Sequence, residues 1–281
     1  MIPAPYKCVG GKSRLLPILS QHFPHRFTHY VEPFLGGGAV FRWLAARGNF
    51  DSPTATALLA DACGPVIDTW RALQTQSHNV RDQLHELVTE YNRTTVDQQG
   101  DFYYYQRSLW NRGETSPARH IFLRQSAFNG LWRVNRQGEF NVPWGKYRTI
   151  KAPDLGPIAA ALAQFGTRLH FQSASYLDLQ LPHDLSDTFI YIDPPYWGTF
   201  DAYTPLGFDA AQHKLLVQAC ADWSRRGACV VYSNKNDALV IDLVKTHWPG
   251  AQVHPLTATQ SMAAKVAART LQRELVVCSG P

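Results

Sequence analysis

Cysteine is scarce and scattered in this chain: Cys8, Cys63, Cys220, Cys229 and Cys278 form no CxxC pair. That spacing argues against a disulfide framework or a closely spaced zinc clip and points to reduced thiols in a cytosolic setting. No stretch approaches the ~20 consecutive apolar residues of a bilayer span, and Met1–Lys7 lack the apolar core of a signal peptide. A cytoplasmic protein with no membrane partner is expected. The eleven histidines include no HExxH or related spacing, so no metal is expected. No G-x-S-x-G elbow is present. Gly10-Gly11-Lys12-Ser13 resembles half a P-loop, but Tyr6 occupies the place of its first glycine, which excludes ATP binding there.

What is present suits one large domain, or one domain carrying an insertion, over 281 residues that are 45% hydrophobic and 17% charged. Periodicity predicts a helix over 12–22, a strand at Tyr30–Glu32, a glycine-rich turn, a helix over 39–47 and a strand at Ala57–Ala60. The pattern changes over roughly 75–165, with helices around 80–91 and 103–110. A hairpin follows, pairing Leu131–Val134 with Phe140–Val142 around Asn135–Gly138. Strand and helix then alternate again: Thr188–Ile192, Ala210–Arg225, Ala228–Tyr232 and Leu271–Cys278. Strands alternating with helices predict a parallel α/β sheet, here divided into 1–74 and 166–281 by an insertion at 75–165.

Charge is unevenly placed. From Tyr103 to Lys151, nine basic residues (Arg107, Arg112, Arg119, Arg124, Arg133, Arg136, Lys146, Arg148, Lys151) face only Glu114 and Glu139. This local excess of seven exceeds the +5 of the whole chain, leaving the remainder slightly acidic. Tyr103, Tyr104, Tyr105, Trp110, Phe128, Trp132 and Trp144 are interleaved with it. Arginines for phosphates and rings for bases suit nucleic acid, although a solvated helical face with core aromatics accounts for some of them.

Two motifs carry chemistry. Asp193-Pro194-Pro195-Tyr196 ends a buried strand. An exocyclic amino nitrogen conjugated with a base is a poor nucleophile. The Asp193 carboxylate and the Pro194 carbonyl can accept its two hydrogens and stabilise the positive charge that develops as it is methylated. The prolines fix that carbonyl's direction, and Tyr196 can stack on the base. Glu32-Pro33-Phe34-Leu35-Gly36-Gly37-Gly38 lies between strand and helix, and Asp61 ends the next strand. That is near the spacing, about 20 residues, at which an acid reaches ribose hydroxyls, though the turn lacks a G-x-G-x-x-G fingerprint.

Taken together these blocks resemble the Dam-type DNA adenine-N6 methyltransferases. The similarity runs in order through Lys7–Lys12, Val31–Gly38, Leu59–Asp61, Phe128–Asn135, Gly138–Tyr147 and Asp193–Tyr196. The resemblance implies an α/β fold: a Rossmann-like methyltransferase core with an inserted helical and β-hairpin target-recognition domain. It implies S-adenosylmethionine as cofactor, held by Cys8, Lys12, Phe34, Gly36, Gly38, Asp61 and Asp193. Asp193, Pro194 and Tyr196 would be catalytic. Arg124, Asn129, Leu131, Trp132, Arg133, Asn135 and Lys146 would face double-stranded DNA, with GATC as the expected target and a nucleoid-associated or phage-encoded setting. A restriction endonuclease partner is not inferable from these residues. Cys8 stands where the family usually has an aromatic residue, and Ser261–Ala264 and Ala268–Thr270 match only loosely. Serine would more often open the catalytic motif in cytosine-N4 enzymes and asparagine in protein or RNA enzymes, so Asp193 favours adenine. A DNA-binding protein without activity is the rival from another class, and the intact Asp61, Asp193 and Tyr196 argue against it.

Overall fold

In the computed structural model, residues 1–8, 10–197, 208–259 and 271–280 are described; the loosely matching segments at 261–264 and 268–270 lie outside them. The N-terminal segment passes through the short helix α1 (Leu16–Leu19), flanked by 3-10 turns at Lys12–Arg14 and Ser20–His22. The single helix predicted over 12–22 is broken because Pro17, in the first turn of α1, brings no N–H to continue a longer one. There follow β1 (His29–Glu32), α2 (Ala39–Ala45), β2 (Thr56–Asp61) and α3 (Gly64–Thr75). Three further helices are α4 (Ser77–Arg93), α5 (Val96–Asn111) and α6 (Pro117–Ser126). After an irregular stretch come α7 (Gly156–Phe165), β3 (Leu169–Ser173), β4 (Thr188–Ile192), α8 (Ala210–Arg225), β5 (Cys229–Lys235), α9 (Ala238–His247), β6 (Gln252–Thr259) and β7 (Leu271–Cys278).

The seven strands form one sheet in the order β3-β2-β1-β4-β5-β7-β6. All neighbouring pairs are parallel except those of β7, which runs antiparallel to both β5 and β6. From β1 the chain winds outward one way through β2 and β3, then the other way from β4. The point of reversal lies between β1 and β4, where the carboxyl ends of adjacent strands open a crevice. This is the α/β, Rossmann-like architecture that the strand–helix alternation predicts.

Side chains alternate across the sheet and build two apolar layers. Tyr30, Leu59, Phe189, Tyr191, Val231 and Val276 face one cluster; Val31, Ile190, Ile192, Val230, Tyr232 and Val277 face the other. The first cluster also contains Leu84 of α4, Tyr103 of α5, Phe122 of α6, Trp132 and Phe140, so the inserted helices share the sheet's own core.

The predicted hairpin is reduced to a single antiparallel bridge, Val134 to Phe140. Asn135 Oδ1 accepts the Gln137 and Glu139 amides to form its turn. Longer strands do not form because helix side chains claim the flanking backbone. Asn111 brackets Phe140, accepting its N–H at 2.9 Å and donating to its carbonyl at 3.1 Å. Tyr103 and Arg107 donate to the Val142 carbonyl, and Asn92 brackets Ile150. Polar groups that a sheet would pair are paired by side chains instead, at no loss of hydrogen bonding.

Candidate active site

β4 is buried along its whole length and delivers Asp193 to the crevice. The Asp193 carboxylate meets the Lys12 ammonium at 2.6 Å through Oδ1 and 2.8 Å through Oδ2. Ser233, near the end of β5, donates to Oδ1 at 3.1 Å, so the carboxylate is held in orientation from two sides. Lys12 is 4% exposed, which makes this a largely desolvated pair. Its ammonium also lies 4.6 Å above the Tyr196 ring. The Tyr196 hydroxyl donates to Glu274 of β7. Burial, with the Asp193 and Glu274 carboxylates nearby, pushes that hydroxyl far above the usual phenol range.

The glycine turn sits beside this pair. The Gly36 N–H donates to Asp61 Oδ2 at 2.9 Å and the Cys63 N–H to Oδ1 at 2.8 Å, which ties the ends of β1 and β2 together. Burial raises the Asp61 carboxyl above its ordinary value, and the two amides oppose that rise. The Gly36 carbonyl accepts from Tyr6 at 2.6 Å and from Trp70 Nε1 at 3.1 Å. Gly38 has φ +58°, and a Cβ there would lie 2.6 Å from the Trp70 ring. Cys8 packs against the same turn, its Sγ 3.6 Å from where a Gly36 Cβ would stand. Phe34 leans away from this cluster onto Tyr176 and Phe208.

Glu32, at the end of β1, is 2% exposed and accepts a hydrogen bond from Tyr30 at 2.8 Å. Burial, reinforced by Asp193, pushes its carboxyl up to about 8 against the pull of Tyr30 and Arg42. Because the folded value exceeds the unfolded one, the proton stabilises the fold. That contribution is complete below about pH 4.5 and is lost as pH rises through 8. Glu32→Gln, permanently neutral, is therefore expected to flatten the pH dependence of Tm and to gain on the native protein by a few kcal/mol near pH 9. Parallel melting curves from acid to mild alkali that stay a constant distance apart would contradict this.

The structure gathers Lys12, Cys8, Gly36, Asp61, Asp193 and Tyr196 at one rim, and Pro194 is buried next to Asp193. The DNA-facing set divides. Asn129 is exposed, in the left-handed region at φ 52°, and Lys146 is exposed at φ 55°. Leu131, Arg133 and Asn135 are half-buried along the same irregular segment. Arg133 Nε donates to Asn141 at 2.6 Å, which holds the guanidinium plane. Asn135 is occupied in its own turn.

Arg124 and Trp132 require correction as DNA contacts: each is 3% exposed. Arg124 Nε donates to His120 Nε2 at 2.9 Å, and its guanidinium lies over Tyr6 and Trp132. His120 Nδ1 in turn meets Thr69 of α3 at 2.7 Å, while Thr69 donates to Pro65. Since Arg124 can only donate, His120 is the Nδ1–H tautomer, and burial holds it neutral. This chain runs from α6 through α3, and Tyr6 links it to the Gly36 carbonyl. Of the nine basic residues between Tyr103 and Lys151, Arg112, Arg136, Lys146, Arg148 and Lys151 are exposed, accompanied by the exposed rings of Tyr104, Tyr105 and Phe128.

Sequence reasoning passed over Ser233, Glu274, Tyr6, Trp70 and His120. An acid directly before the apolar run Leu275-Val276-Val277, and the polar pair Ser233-Asn234 near the end of a buried strand, were the available signals. No helix among the described residues is long and apolar enough to cross a membrane.

The chain is similar to several known methyltransferases. A type II methyltransferase of Lactococcus lactis subsp. cremoris is 28% identical over 96% of this chain and 93% of its own length. The DNA adenine methylase of Vibrio cholerae serotype O1 is 28% identical over 98% and 95%. The DNA N-6-adenine-methyltransferase of Escherichia phage P1 is 31% identical over 92% of this chain and 33% of its own length. Residues 9–262 match the family pattern along most of the chain, which belongs to the D12 class N6 adenine-specific DNA methyltransferases.

Proposed function

We propose that this adenine-specific DNA methyltransferase uses S-adenosylmethionine, acts on an adenine flipped out of duplex DNA, and recognises GATC. The observation that carries the reading is the convergence of Asp193, the glycine turn and Asp61 at the reversal of strand order. The donor set fits the cofactor. Asp61 and Asp193, both partly exposed at the crevice and opposed by Lys12, suit a ligand bearing sulfonium and ammonium charges, and Asp61 ends β2 where ribose hydroxyls would be met. When bound, S-adenosylmethionine supplies an electrophilic methyl group whose sulfur departs as a neutral thioether.

The protein's share is positioning and charge stabilisation. As the adenine amino group arrives it replaces Lys12 at Asp193. Asp193 and the Pro194 carbonyl accept hydrogen bonds from its two N–H groups, drawing the nitrogen lone pair out of the ring, and the methylated nitrogen then releases one proton to solvent. Tyr196 stacks on the base, its hydroxyl anchored by Glu274. Residues 75–165 serve as the DNA-recognition part and 1–74 with 166–281 as the catalytic part. Asn129, Leu131 and Arg133 read the groove, and Lys146 contacts phosphate.

The test is methylation of duplexes carrying GATC or each single-base variant, with nucleosides and positions determined by mass spectrometry. Modification confined to GATC is expected; equal modification of the variants would overturn the assigned target. Arg133→Ala should lose about 1–3 kcal/mol of discrimination at one base pair. Lys146→Ala should weaken binding to all sequences alike and lower the salt slope by about one. Unchanged sequence preference in Arg133→Ala would remove it from readout.

A further inference from the structure

We propose that His22, His254 and Cys278 form a binding site for one divalent cation of the zinc class. One ligand atom from each residue lies within 4.8 Å of the other two. His22 closes the turn after α1, His254 belongs to β6 and Cys278 ends β7. In the β6–β7 register His254 stands opposite Val276 and Gln252 opposite Cys278. Side chains two apart share a face, so His254 and Cys278 project from the same side of the sheet. His22 reaches over that side, its ring 4.5 Å from that of His254 with the planes 39° apart.

All three side chains are half-buried, partly withdrawn from water yet reachable by an ion. Zinc–nitrogen bonds of about 2.0 Å and zinc–sulfur bonds of about 2.3 Å place tetrahedral ligand atoms roughly 3.3–3.7 Å apart. Side-chain rotations that close the widest separation, at most 4.8 Å, by roughly 1.1–1.5 Å therefore meet the requirement. Two imidazoles and a thiolate select zinc over the oxygen-preferring magnesium and calcium, and three protein ligands leave a fourth position for water.

The ion would join segments that the chain keeps far apart: the approach to β1 and the outer antiparallel pair of the sheet. Glu274, which holds Tyr196, lies on the same face of β7 as Cys278. Binding would thus brace the strand behind the catalytic tyrosine without touching the reacting groups.

The full-length, reduced, metal-free protein is titrated with zinc against a chromophoric chelator, and separately with cobalt(II). One equivalent of tight binding is expected, with a thiolate-to-cobalt charge-transfer band and a raised Tm. Cys278→Ser and His254→Ala should each lower the affinity on the order of 100-fold and abolish the Tm rise, while their metal-free melting curves stay close to that of the native protein. Absence of stoichiometric binding, a cobalt complex without the thiolate band, or unchanged affinity in both variants would overturn the site. A variant that fails to fold leaves the cobalt spectrum of the native protein to decide.

Discussion

Asp193→Ala is expected to reduce methyl transfer by about 10³-fold or more while duplex DNA still binds within a few-fold of the native affinity. In the proposed mechanism the carboxylate is the acceptor for the amino group, and its two side-chain partners among the described residues, Ser233 and Lys12, are donors that cannot replace it. The substitution also strands the Lys12 ammonium, 4% exposed, without its partner. Leaving one member of a buried pair costs about 3–5 kcal/mol, so a fall in Tm should accompany the loss of activity. Asp193→Asn separates the two effects. It keeps an acceptor oxygen and the volume, so its stability loss should be smaller, yet its neutral amide gives weak stabilisation to developing positive charge. Single-turnover formation of N6-methyladenine, with DNA binding followed by fluorescence anisotropy, provides the measurement. Turnover within tenfold of native in either variant would remove Asp193 from its role.

The second large effect is structural. Gly38→Val should cost on the order of 3 kcal/mol, combining about 1–2 for a β-branched residue in the left-handed region with about 1–3 for overpacking. The reason is local: φ is +58°, and the added Cβ would stand 2.6 Å from Cζ2 and 2.7 Å from Cη2 of Trp70. Trp70 is fully buried and donates to the Gly36 carbonyl, so it cannot withdraw without moving the turn. A Tm lower by roughly 6–12 °C follows, together with at least about tenfold weaker S-adenosylmethionine binding by calorimetry. Trp70→Leu in the same chain opens the space and should recover part of the added loss. If the double variant is no better than the sum of its parts, the clash is not the cause.

The elements most legible in the sequence are those in which local pattern and tertiary role coincide. Thr188–Ile192 reads as a buried strand because all five residues are apolar or β-formers, and all five are buried. The glycine turn and Asp61 were recognisable because backbone approach and strand ends leave a short-range signature. Elements whose polar groups are satisfied at long range were less legible. The hairpin at 131–142 has the right turn residues, but Asn111, Tyr103 and Arg107 from a distant helix claim its backbone. Arg124 and Trp132 read as DNA contacts from charge and ring alone, whereas His120, Tyr6 and Phe140 draw them inward.

By itself the sequence determined the α/β alternation, the Asp193–Tyr196 motif at the end of a buried strand, the glycine turn and the basic excess of the middle segment, because each is written in neighbouring residues. Only the tertiary structure decided which charges are neutralised inside and which face outward. It alone set Glu274 behind Tyr196, Lys12 and Ser233 on Asp193, and His22 beside His254 and Cys278. Those partners are separated by up to 256 residues and meet only when strand order brings their faces together. Contact across a sheet follows from register and topology, and neither leaves a mark on the local sequence.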